Sequence, residues 1–242
     1  MADTIALVTG ANKGIGREIS RQLAAKGGVF VLMGARDRER GEKAVADLRA
    51  QGLPVEFIQI DVTSQSSVDD AAAEVERRHG RLDILVNNAG IALDWFPGSE
   101  LTVETLQKTF ETNVFGVFRV TKAMLRLLKR SQHGRIVNVS SGLGSLTRIA
   151  DPNTPLSVRN MLLAYSSSKA ALNMITVQFA NELKSAGIKV NSANPGFTAT
   201  DMNQHRGPRT VEQGAATPVR LALLPDDGPT AGVFSDDGPQ PW

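Results

Sequence analysis

Tyr165 and Lys169 stand four residues apart in a stretch of helical character, so their side chains share one face. Tyr165 is the only tyrosine in the chain. A free phenol ionises near pH 10 and is a poor proton carrier at neutral pH. An ammonium one turn away favours the phenolate. The pair is therefore expected to hold a tyrosine of depressed pKa that moves a proton. A second feature lies near the N-terminus. Thr9-Gly10-Ala11-Asn12-Lys13-Gly14-Ile15-Gly16 follows an apolar run and opens a helical one. Glycines at a strand-to-helix turn let the backbone approach a pyrophosphate, and the helix start presents free N–H groups and a positive dipole end. The glycine spacing differs from the commonest dinucleotide fingerprint, so the strand-before, helix-after context carries the reading.

Three further positions belong with that turn. The second strand ends Gly34-Ala35-Arg36, with no acid until Asp37. An acid there holds a ribose 2′-hydroxyl, whereas an arginine accommodates a 2′-phosphate. Arg36 together with Lys13 therefore favours NADP over NAD. Asp61 ends the third strand, where it either meets an adenine amino group or caps the next helix. The fourth strand ends Asn87-Asn88-Ala89-Gly90, small and amide residues that let a flat ring or a ribose approach the sheet edge.

The elements that must position these groups alternate. Apolar runs at Thr4–Thr9, Val29–Met33, Val55–Ile60, Leu82–Val86, Arg135–Val139, Ile188–Ser192 and Ala231–Phe234 read as strands. Between them, helical period marks Ile15–Lys26, a segment capped by Asp37 and running to about Ala50, and one capped by Ser64 and running to His79. It also marks Leu101–Arg130, as one long helix or two abutting ones, and Ala164–Ala186. Thr210–Leu224 carries a capping box with Gln213. Strand–helix alternation with unbroken apolar strands predicts an α/β fold, a doubly wound Rossmann-type sandwich. Its parallel sheet of about seven strands is covered by helices on both faces. No linker divides the chain, and a single domain over 1–242 is expected. Asp-Asp-Gly-Pro at 226–229 and again at 236–239 reads as two turns.

Composition narrows the class. The 242 residues are 41% apolar and 21% charged, with no cysteine. Thiolate metal sites, disulfides and cysteine nucleophiles are excluded, and a reducing, cytoplasmic setting is expected. A net charge of +2 with no basic cluster argues against nucleic-acid binding. No apolar run is long enough to span a bilayer, and the N-terminus has no signal-peptide pattern.

Taken together, these residues resemble the short-chain dehydrogenase/reductase family in its compact branch, over nearly the whole chain. The glycine turn and Asn87-Asn88-Ala89-Gly90 look like two of its motifs. Asn113 in Thr112-Asn113-Val114, Ser141 in Val139-Ser140-Ser141-Gly142, and Tyr165 with Lys169 match its catalytic tetrad. Pro195-Gly196 with Thr200 matches the segment that meets the nicotinamide amide. The resemblance implies cofactor binding by Gly10, Asn12, Lys13, Gly14, Ile15, Gly16, Arg36, Asp61, Val62, Asn88, Ala89, Gly90, Tyr165, Lys169, Pro195, Gly196, Thr198 and Thr200. Within the family, Lys13 and Gly34-Ala35-Arg36-Asp37 look most like NADPH-dependent carbonyl reductases.

The implied chemistry is carbonyl reduction. Tyr165 supplies the proton, Ser141 holds the carbonyl oxygen, Lys169 lowers the Tyr165 pKa and holds the ribose, and Asn113 positions a water that relays protons to Lys169. Candidate pocket residues are Leu93, Trp95, Phe96, Leu143, Met161, Phe197 and Met202, with Ser141 and Tyr165 at the reacting end. Their character suits a small apolar ketone or aldehyde, with no metal, membrane or nucleic acid involved. The alternatives are an alcohol or hydroxysteroid-type dehydrogenase working oxidatively, and a cofactor-sensing protein without turnover. Ser141 and Tyr165 are 24 positions apart, more than is usual in the compact branch. The extra stretch, roughly Asp151–Met161, is expected to border the pocket. It leaves monomer, dimer and tetramer open.

Overall fold

A computed structural model describes residues 4–154 and 160–242. The sheet is built first from strands with almost no exposed residue: β1 (Thr4–Thr9), β2 (Val29–Ala35), β3 (Val55–Gln59), β4 (Ile84–Asn87), β5 (Arg135–Val139) and β6 (Lys189–Ala193). Burial on both faces is why they read as unbroken apolar runs. Two short strands follow, β7 (Val233–Ser235) and β8 (Gly238–Gln240). The order across the sheet is β3-β2-β1-β4-β5-β6-β7-β8, parallel except for the antiparallel β7–β8 pair. The expected seven strands are thus eight. The second Asp-Asp-Gly-Pro supplies the tight turn into β8, with Gly238 at a φ of 104°.

Helices cover both faces. α1 (Gly14–Ala24), α2 (Arg38–Arg49) and α8 (Val211–Ala222) lie over one, with a core of Val8, Ile19, Leu23, Val31, Leu48 and Val86 among others. α3 (Gln65–His79), α5 (Val117–Leu128) and α7 (Leu163–Glu182) lie over the other, around Leu7, Leu32, Leu85, Met124, Leu127 and Ile136. The anticipated caps are present. Asp37 accepts from the Arg40 N–H, Ser64 from the Ser67 N–H, and Thr210 and Gln213 form a capping box. The stretch from Leu101 is continuous. α4 (Val103–Phe110) passes through a π-helical segment, Glu111–Gly116, into α5.

A short helix, α6 (Leu146–Ala150), fills part of the stretch between Ser141 and Tyr165 and has no counterpart in the apolar pattern. Of the Asp151–Met161 segment, residues 155–159 lie outside the described residues. At its far end Met161 pairs antiparallel with Pro97, which brings it beside the loop after β4.

One buried polar ladder crosses the sheet beneath the site. Asn87, Asn138 and Ser192 are register neighbours on β4, β5 and β6. Asn87 Nδ2 donates to Thr121 Oγ1 at 3.0 Å and to Asn138 Oδ1 at 2.9 Å. Asn138 Nδ2 donates to Thr176 Oγ1 at 2.9 Å, and Thr176 and Ser192 share a 2.9 Å hydroxyl contact. The ladder ties both α5 and α7 to the strand ends in one register, because an apolar environment penalises any partner left unpaired. Replacing Asn138 by Ala should cost about 2–4 kcal/mol. In a domain of this size that lowers Tm by roughly 5–15 °C. A calorimetric Tm within about 2 °C of the parent would show that the ladder contributes little.

Candidate active site

The site gathers at the C-terminal ends of β1, β4, β5 and β6, where a parallel sheet presents its ligand crevice. The glycine turn is laced to the loop after β4. Thr9 Oγ1 accepts from the N–H groups of Asn88 (3.0 Å) and Ala89 (3.1 Å), and Asn88 Nδ2 donates to the carbonyls of Thr9 (2.9 Å) and Gly10 (3.2 Å). A Cβ on Gly16 would fall 2.3 Å from Asn88 Nδ2 and 2.5 Å from the Gly10 carbonyl, so this lacing requires glycine there. Gly10 itself has a φ of 65°.

The start of α1 is open. No side chain caps it and its first turn holds no acid. A Cβ at Gly14 would project towards Thr200, whose Cγ2 would lie 3.6 Å away. Backbone donors, a dipole end and a glycine floor opposite Thr200 fit the pyrophosphate of a dinucleotide. Asn12 and Ile15 are partly buried beside this opening.

Lys13 is ion-paired in the ligand-free protein. Its Nζ lies 2.6 Å from Asp201 Oδ2, and His205 Nε2 contacts the other Asp201 oxygen at 3.0 Å. Lys13 is thus engaged with the segment after β6. Arg36 is exposed at the end of β2, and its guanidinium makes no ion pair or side-chain hydrogen bond among the described residues. Asp61 serves its turn in part: Oδ1 accepts from the Thr63 N–H (2.9 Å) and Thr63 Oγ1 (2.7 Å), while Oδ2 has no such bond among the described residues. Val62 is buried next to it, its carbonyl accepting from Arg119.

Tyr165 lies in the first turn of α7, with Lys169 one turn on. Lys169 is buried, its Nζ donating to the Val139 carbonyl at 2.8 Å. Burial brings the ammonium down to about 8. Burial likewise pushes the Tyr165 phenol up to about 12, against the opposing effect of a hydrogen bond with the Ser141 side chain. The expected depression is therefore absent in the ligand-free site. The ammonium stands 5.5 Å from the centre of the phenol ring, and loss of hydration dominates both groups.

Ser141 opens a short 3₁₀ turn, Gly142–Gly144, and its Oγ accepts from the Leu143 N–H at 3.2 Å. A Cβ on Gly144 would lie 2.8 Å from the Lys169 carbonyl carbon, so glycine lets this turn rest directly on α7. Asn113 sits in the π-helical segment and is fully buried. Its Oδ1 accepts from the Ile91 N–H (2.9 Å), and its Nδ2 donates to the Ile91 carbonyl (2.9 Å) and Ser168 Oγ (3.0 Å). The extra residue of a π turn re-aims a side chain inward, a common device at functional sites. Asn113 Oδ1 and Lys169 Nζ both face Gly90, at 3.3 and 3.6 Å from where a Cβ would stand.

The segment after β6 closes the crevice. Pro195 is buried, and Thr198 Oγ1 donates to its carbonyl at 3.1 Å. Thr200 forms a capping box with Asn203. Leu93, Trp95, Phe197 and Met202 are exposed, as is Leu163 at the start of α7, whereas Phe96, Leu143 and Met161 are partly buried. Ser168 and Asp94 are not among the residues expected above, and Thr9 is there only as the first residue of the glycine turn. Asp94 is buried after β4 and accepts from the Ala164 N–H at 2.6 Å. Only the pairing of Thr9 with the glycine turn had a local signal.

Comparisons with known proteins agree with this geometry. The family model described as short chain dehydrogenase matches residues 4–210. A (+)-neomenthol dehydrogenase of Arabidopsis thaliana is 37% identical, over 95% of this chain and 94% of its own. The carbonyl reductase (NADPH) 3 of Mus musculus is 35% identical, over 98% of both chains. The crystal structure of an NADPH-bound carbonyl reductase from chicken fatty liver superposes with a TM-score of 0.86 at 27% identity, over all of this chain and 99% of that one. The chain belongs to the short-chain dehydrogenase family and is an NAD(P)H-dependent oxidoreductase acting on carbonyl and alcohol groups.

Proposed function

We propose that the protein reduces a small, largely apolar ketone or aldehyde with NADPH, and that Tyr165 is the general acid. The observation that carries this reading is the Tyr165 phenol ring, with the buried Lys169 ammonium 5.5 Å from its centre on the same helix face. Bound NADPH supplies a hydride to the carbonyl carbon. Ser141 and Tyr165 hold the carbonyl oxygen, and the developing charge there is met by the Tyr165 proton. A phenol raised by burial stays protonated through neutral pH, which suits a donor. Lys169 has further N–H groups beyond the one directed to Val139, and these are free to hold a ribose hydroxyl. Asn113 Oδ1 and Lys169 Nζ converge at Gly90, and a water admitted there would return a proton from solvent to Tyr165 by way of Lys169.

NADPH preference rests mainly on Arg36, the cation at the end of β2 with no acid partner among the described residues. The dinucleotide is held by the α1 start, Asn88 to Gly90, and Pro195 to Thr200. The exposed Leu93, Trp95, Phe197 and Met202 favour an apolar substrate. The neomenthol dehydrogenase and carbonyl reductase relatives support that class.

The test is NADPH consumption at about 340 nm over a panel of cyclic ketones, aryl ketones, quinones and aldehydes. Tyr165→Phe should lose nearly all turnover while NADPH still quenches tryptophan fluorescence at the parent concentration. Substantial turnover by this variant would remove the phenol from the chemistry. Arg36→Asp should raise the KM for NADPH roughly 10- to 100-fold, the equivalent of one charge-assisted contact, and change that for NADH far less. Equal use of NADH and NADPH by the parent would remove the assignment. The lone tyrosine also allows a direct titration. In ligand-free protein of native far-UV spectrum, no phenolate absorbance near 295 nm should develop below about pH 10. A midpoint under that value would mean that burial does not govern the group.

A further inference from the structure

The first turn of α7, which carries Tyr165, lacks a cap of its own. Leu162, at the N-cap position, has a φ of 62°, and its side chain has no oxygen to accept a bond from the helix N–H groups. A left-handed leucine is costly and persists only where surrounding contacts hold it. Those contacts come from the loop after β4. The Leu162 N–H donates to the Asp94 carbonyl at 3.0 Å. The Ala164 N–H donates to Asp94 Oδ2 at 2.6 Å. Pro97 and Met161 pair antiparallel just beyond. Asp94 is 1% exposed, and its second oxygen, Oδ1, is buried with no hydrogen-bond partner among the described residues. A buried carboxylate used so sparingly is expensive. Its position is explained by what it holds: Ala164 immediately precedes Tyr165.

We infer that Asp94 is a positioning residue for the proton donor, acting as the N-cap of the Tyr165 helix from 70 residues upstream. The loop after β4 then meets α7 twice. At Gly90 it faces Lys169 Nζ, and at Asp94 it holds the Ala164 N–H. Tyr165 lies between these two points on the helix. The loop after β4, which borders the crevice at Gly90, therefore sets the axial position of the phenol. The role in turnover rests on the reading proposed above.

The test compares Asp94→Asn, Asp94→Ser and Asp94→Ala in the full chain. Asn keeps an oxygen of the same reach, and Ser is one bond shorter. Two readouts are used: kcat per NADPH-binding site, and the rate at which tetranitromethane nitrates Tyr165, read by mass. Nitration requires no substrate and has a single tyrosine and no cysteine to report on. Asn should keep kcat within about threefold and leave nitration unchanged, since the cap bond survives. Ala should lower kcat by at least about 30-fold at unchanged NADPH affinity, and nitrate several-fold faster as the turn loosens. Ser should fall between them, and it serves if Ala does not fold. Folded Ala or Ser variants with parental kcat and parental nitration would overturn the inference, whatever their Tm. Altered nitration in a protein that turns over no carbonyl would sustain the positioning and overturn only the proposed reaction.

Discussion

The site depends on one buried cation. Lys169 lies almost wholly out of water, and its ammonium reaches the Val139 carbonyl at the end of β5. A charge in that position is tolerable only where its surroundings supply oxygens, so α7 must pass close over the ends of β4 and β5. That close passage dictates much of what surrounds it. Gly144 is small because the turn after Ser141 rests on the Lys169 backbone. Gly90 leaves room where Lys169 Nζ and Asn113 Oδ1 approach. Asn113 bridges Ile91 and Ser168, pinning the β4 loop to the same helix.

Beneath this layer the polar ladder through Asn87, Asn138, Thr176 and Ser192 performs a related task. Apolar residues alone would let α7 slide by small repackings, because they specify volume more than register. Hydrogen bonds between buried side chains penalise every register but one. The ladder and the Lys169 bond thus fix α7 laterally against the strands. Its first turn is fixed by other means, through the loop after β4. Rigid support under the crevice is what positional chemistry needs, since small misplacements of a reacting group cost rate steeply.

The glycine-turn half of the crevice is built differently. There the start of α1 leaves its backbone N–H groups uncapped by any side chain. Thr9 and Asn88 hold the glycine turn in shape, and no acid stands in the first turn of α1. Arg36, at the end of β2, is exposed, so its charge is screened by solvent. Lys13, paired with Asp201, links the start of α1 to the segment after β6 across the crevice.

The sequence by itself determined the alternation of strands and helices, the glycine turn, the Tyr165–Lys169 face and the caps at Asp37, Ser64 and Thr210. Each of these is written in residues within a few positions of one another, where helix period, burial and turn chemistry act directly. The eighth strand was hidden because Gly238–Gln240 has no apolar pattern and is a strand only by pairing with β7. The direction of the Tyr165 pKa was misread for a similar reason. Spacing on a helix reveals the neighbouring charge but not the burial that outweighs it. Asp94 and Ser168 were unreadable: a lone acid in an apolar loop looks solvated until a helix 70 residues away is placed against it. Only the tertiary structure decided these, because desolvation and capping from a distance depend on which surfaces meet, and no local pattern records that.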